Sequence, residues 1–187
     1  MVHGPQNTDH SDFFAAAFKK DWVEGQTREI KLPDEEPELM THYIDHVYSK
    51  KLHVPTDVYA IGRPGFKKEA GFKILAQLYV LAERLLDSKS RNRIVQEIMR
   101  LAFLMCPTRS FCDPSPESIN IIYKGTMPGS PARRLLVDIH ACTTQSPWYP
   151  NDVQMDPAFL MDLVRKFRSR ASPNNQVQYF IHGDYLV

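Results

Sequence analysis

A chain of 187 residues has room for one domain with a real core and a smaller lobe beside it. Its 43% hydrophobic content offsets the chain entropy lost on folding and so excludes wholesale disorder. The net charge of +1, from 23 basic and 22 acidic residues, gives no field to draw nucleic acid or an anionic membrane, and neither is expected as a partner.

The longest largely apolar stretch, Ile74 to Ala82, falls well short of the roughly 20 residues of a membrane span. The opening MVHGPQNTDHSD is polar and holds no apolar signal core. Cys106, Cys112 and Cys142 make an odd count without a C-x-x-C pair, so they read as free thiols in a reducing compartment. The expected location is cytoplasmic or nuclear.

In chain order, Phe13, Phe14, Ala17 and Phe18 recur at helical spacing behind Ser11 and Asp12, which suit a helix start. After a turn at Glu24-Gly25-Gln26, residues Arg28 to Leu32 alternate as a short strand, with Ile30 and Leu32 on one face and Pro33 ending it. Pro37 opens a helix to Leu52, favoured by Asp34, Glu35, Glu36 and Glu38 at its positive end, with Leu39, Met40, Tyr43, Ile44, Val47 and Tyr48 as its apolar stripe. Residues 53–71, with two prolines and three glycines, read as a connector.

Phe72 to Leu86 is apolar around most of its circumference and should be buried. Asn92 to Leu104 is amphipathic and stops at Pro107. The turn-rich CDPSPES (112–118) comes next, with Ser118 as cap of a short helix through Tyr123. Pro131 and Pro157 each open a further helix, to about Ala141 and Arg170. The tail holds VQYFI, a strand or a loosely attached end. No repeat, βαβ rhythm or glycine-rich phosphate loop is present, and no motif calls for a cofactor.

The order of these elements over residues 11–100 resembles the fungal branch of the BTB/POZ family. The features that carry it are Ser11 with Phe13-Phe14, then Trp22-Val23-Glu24, then IKLPDEEP (30–37). The helix end with Ile44, Val47-Tyr48-Ser49-Lys50 and Leu52, the run LAQLYVLAERLLD (75–87) and Asn92 complete the set. IIYKGT (121–126) and PARRLLVD (131–138) are similar to the stretch C-terminal to the domain in many fungal members.

The resemblance implies an α+β fold, mainly helical, with helices packed on a small sheet. Members open with a β-hairpin ahead of the Ser-x-Phe-Phe element. Val2-His3 stands at the right spacing before Ser11, but Gly4 to His10 is polar and no hairpin precedes it. The expected organisation is a truncated BTB/POZ-like domain over 1–104, a linker over 105–118 and a helical C-terminal extension over 119–187. Its expected work is protein–protein association, with another BTB chain or as an adaptor on a cullin ubiquitin-ligase scaffold. The resemblance makes Trp22 and Glu24 the partner-binding residues: an aromatic anchor for a pocket and a carboxylate for a basic rim.

Other constellations carry less. His42 and His46 are four apart on one helix, and with Asp21 they outline a small metal-dependent enzyme; but no H-E-x-x-H occurs and a solvated helix face is the simpler reading. Cys106 and Arg109 lack the glycines and spacing of a phosphatase loop. Arg165, Lys166, Arg168 and Arg170 offset a helix dipole rather than mark nucleic-acid binding. No G-x-S-x-G or triad order appears, so an enzyme is not expected. A non-functional remnant of a BTB gene is the remaining rival.

Overall fold

The computed structural model describes residues 12–17, 19, 26–27, 32, 35–52, 68–103, 113–142, 154–170 and 185–186. They include the helices α1 Asp12–Ala17, α2 Pro37–Ser49, α3 Lys68–Arg84, α4 Ser88–Phe103, α5 Pro116–Gly125, α6 Pro131–Cys142 and α7 Pro157–Arg170. No strand occurs among the described residues, which overturns the expected α+β fold with helices packed on a small sheet. Of the expected strand, residues 28–31 lie outside the described set. Leu32 is described, is not in a strand, and packs half-buried against the core.

Helix–helix packing takes the place of the sheet. The apolar residues of α3 cover most of its circumference, so one neighbour cannot bury them. Its most extensive contacts are with α5 on one side and α4 on the other, and α2 also leans on it. Leu75, Tyr79, Leu81 and Ala82 are sealed from solvent in this way. One apolar cluster draws on each of these helices, from Phe14 in α1 to Phe159 in α7. Each large aliphatic side chain sealed within it contributes about 1.5–3 kcal/mol relative to exposure.

The close approach of α3 and α5 depends on Gly125. A Cβ there would stand 2.5 Å from both methyls of Val80, inside contact distance. Helix α5 begins at Pro116, inside the expected linker, because Ser115 rather than Ser118 caps it: the Ser115 Oγ accepts from the Ser118 amide at 3.3 Å, and Pro116 stands at the first helical position. Ser118 is buried within the helix instead.

Between α3 and α4 the chain turns through Leu86, whose φ of 52° is left-handed, and this rotates Leu86 out to 55% exposure rather than into the core. The turn places Asp87 inside. Its carboxylate accepts from the Tyr43 hydroxyl at 2.8 Å, the Ser90 amide at 2.9 Å and the Ser90 hydroxyl at 2.6 Å, capping α4 and tying it to α2. Burial, then the Asp87 charge, pushes the Tyr43 hydroxyl far above its ordinary range, so it stays a donor.

A second buried polar junction joins α5 and α6. Arg133 lies over the Tyr123 ring at 4.5 Å and donates to the Thr126 hydroxyl at 2.9 Å and to the Tyr123 and Thr126 carbonyls. These carbonyls terminate α5, where a cation is favoured. Next to it the Tyr79 and Ser130 hydroxyls share a hydrogen bond of 3.0 Å between α3 and the start of α6.

Candidate functional site

Helix α7 is fixed by one aromatic anchor and a ring of polar ties. Asp156 caps its first turn by accepting from the Ala158 amide at 2.8 Å, with Pro157 at the first position. Asn120 of α5 holds this start, accepting from the Asp156 amide and donating to the Gln154 carbonyl, both at 2.8 Å. Phe159 is fully buried, edge-on to Tyr123 at 5.5 Å and to His140 at 5.1 Å. Lys166 pairs with Asp138 of α6 at 2.5 Å, and the Tyr123 hydroxyl donates to Asp162 at 3.2 Å.

With those residues facing inward, four large apolar side chains face out. Leu160, Met161, Val164 and Phe167 are 45%, 53%, 52% and 48% exposed. Leu160, Val164 and Phe167 stand at i, i+4 and i+7, so they form one stripe along the helix. At 100° per residue, Arg168 and then Arg165 follow on the Met161 side of the stripe, and both are exposed. The outer surface of α7 is therefore an apolar strip with a basic margin.

The remaining positive charge of the helix is partly neutralised within the fold. Arg165 donates to Asp162 at 3.0 Å, and Lys166 is half-buried against Asp138, which also accepts from the Tyr185 hydroxyl at 2.7 Å. Of the basic residues seen in the sequence, Lys166 thus fastens α7, while Arg165 and Arg168 border its open face. An open groove of about 410 Å³ between α6 and α7 has Asp138 and Asp162 among its lining beside Arg134 and Arg165, and mixed charge leaves it without a clear ligand chemistry.

Trp22 and Glu24, the partner-binding pair expected from the sequence, lie outside the described residues, as do Cys106, Arg109, Asp21 and the VQYFI segment. His42 and His46 do not share a solvated face: His42 is half-buried, while His46 is only 7% exposed. Among the described residues no three His, Cys, Asp or Glu side chains stand close enough to hold a metal ion. No helix among them is long and apolar enough to cross a membrane.

The α7 face was missed in the sequence although a signal was there. Phe159, Leu160, Met161, Leu163, Val164 and Phe167 spread over an arc of about 200°, roughly twice what burying one side of a helix requires. Compared with known protein families, with curated proteins and with solved structures, the chain matches none.

Proposed function

We propose that this chain is a protein–protein interaction module that works through the outer face of α7. The observation that carries the reading is the row of four half-exposed large apolar residues on a helix otherwise held by buried contacts. Contiguous exposed apolar surface on a rigid element is the usual mark of a binding face, and anchors at i, i+4 and i+7 suit a helical partner.

The basic margin selects the kind of partner. An antiparallel α7 pair about a two-fold axis would set Arg165 and Arg168 against their own copies, and like charges oppose pairing. Asp162, the one acid within α7, is already engaged by Arg165 and Tyr123. The occupant is therefore a helix of another protein, apolar along one stripe and acidic along one edge. The cysteine usage of the sequence suits a meeting in the reducing cytoplasm or nucleus.

A fluorescently labelled amphipathic peptide with a leucine stripe and a glutamate edge tests this by anisotropy. Saturable binding, weakened about tenfold or more when lysines replace the glutamates, supports the reading. Equal binding of both peptides, or none, overturns it, as does a stable homodimer in sedimentation that Phe167→Asp dissociates. The finer proposal of docking on a cullin scaffold rests on the Trp22-x-Glu24 motif of the sequence. Calorimetric titration with the cullin N-terminal domain tests it, and loss of binding in Trp22→Ala is the expected result.

A further inference from the structure

Ser169 stands in the last turn of α7 and is exposed. Its hydroxyl donates to the Lys166 carbonyl at 2.8 Å, one turn back on the same helix. The surrounding sequence, Arg165-Lys166-Phe167-Arg168-Ser169-Arg170, places three cations within the four residues before the serine and one directly after it. No Asp or Glu occurs between Asp162 and Asp184. An accessible hydroxyl with an unbroken basic flank is a charge pattern that the acidic substrate cleft of a serine kinase selects. Helix ends fray, so the last turn can open to such a cleft while Phe159, ten residues back, stays anchored.

The position of Ser169 on the helix ties it to the binding face. At 100° per residue it follows Arg165 on the side away from the apolar strip, and the i, i+4 spacing makes the two neighbours. Ser169 also lines the groove between α6 and α7, together with Arg165 and with Arg134 of α6. Arg165 donates to Asp162 at 3.0 Å. A phosphate on Ser169 carries about 1.5–2 negative charges at neutral pH and competes with that carboxylate for the guanidinium. The helix dipole opposes negative charge at this end, and Arg165 offsets the opposition. The charge that Arg165 and Arg168 present along the margin of the strip is then largely cancelled.

We propose that Ser169 is a phosphorylation site whose phosphate turns off recognition of an acidic partner by the α7 face. The donor is ATP, brought by a kinase of basic-flank specificity. The Ser169 Oγ bonds to the γ-phosphorus, the bond from that phosphorus to the bridging oxygen breaks, ADP leaves, and the hydroxyl proton passes to the base of the kinase. The regulatory role rests on the reading of α7 as a binding face, whereas the modification itself does not.

Incubating the full chain with ATP and the catalytic fragment of protein kinase C, followed by site mapping in a mass spectrometer, tests the modification. The expected result is phosphate on Ser169, lost in Ser169→Ala, whose circular dichroism matches the wild type. Phosphate found only on other residues such as Ser172, or none at all, overturns the site and leaves the reading of α7 standing. The phosphorylated and unmodified chains are then titrated with the glutamate-edged and lysine-edged peptides. The phosphorylated chain is expected to bind the glutamate-edged peptide about tenfold or more weakly and the lysine-edged one no less tightly. An unchanged preference between the peptides overturns the switch. If the unmodified chain binds neither peptide, the reading of α7 fails and the switch fails with it.

Discussion

Helices α3 and α7 are both rich in large apolar residues, and the fold treats them in opposite ways. In α3, Leu75, Leu78, Tyr79 and Leu81 are all buried, because α2, α4 and α5 pack around it. In α7, Phe159 alone among the described residues of that helix is buried, since its neighbours α5 and α6 lie on one side. An apolar residue in α3 therefore contributes to stability, whereas one on the outside of α7 contributes to almost nothing in the isolated chain. That contrast separates the residues that hold the fold from those available to a partner.

Removing a large apolar side chain from each helix in turn should give opposite outcomes. Leu81→Ala in α3 is expected to cost about 2–5 kcal/mol in urea unfolding, the sum of lost transfer energy and an unrelaxed cavity. Gly125→Ala tests whether α3 is as tightly enclosed as its burial implies. The added methyl meets Val80, and the expected loss is about 1–3 kcal/mol from overpacking.

A pH series reaches the socket that holds α7. Burial lowers the His140 pKa from its ordinary 6.5, outweighing the Leu136 carbonyl and the Asp113 charge, so the folded chain holds this ring neutral. The unfolded chain binds the proton first as pH falls. Stability is thus full above about pH 6.5 and declines below it toward the lowered value, by at most about 1.4 kcal/mol per pH unit. Urea midpoints at pH 7.5 and 5.5 check this, and His140→Gln should flatten the difference. The smallest expected effect belongs to Phe167→Ser on the open face of α7, within about 0.5 kcal/mol of wild type in the same assay.

How much of the fold was legible in the sequence depends on the range of the interactions involved. The proline starts of α2, α5, α6 and α7 are local, and Pro37, Pro131 and Pro157 marked their helices to the residue. The burial of α3 was legible from its apolar circumference. The fold class was not, because Arg28–Leu32 alternates as a strand would, and whether a sheet exists depends on partners that a local pattern does not specify. The cap of α5 was displaced from Ser118 to Ser115 because two serines three apart both satisfy the motif, and Pro116 decides between them. His46 was read as solvated, and its burial to 7% exposure depends on tertiary packing that its spacing from His42 does not specify.

Whether the outer face of α7 serves binding and not folding can be decided by one anisotropy titration. The glutamate-edged helical peptide is titrated with wild-type chain and with Phe167→Ser, both first matched in helicity and urea midpoint. The variant is expected to bind at least about tenfold more weakly at unchanged stability. Equal affinity in the two proteins, or a variant that unfolds with the Leu81→Ala protein, would contradict it.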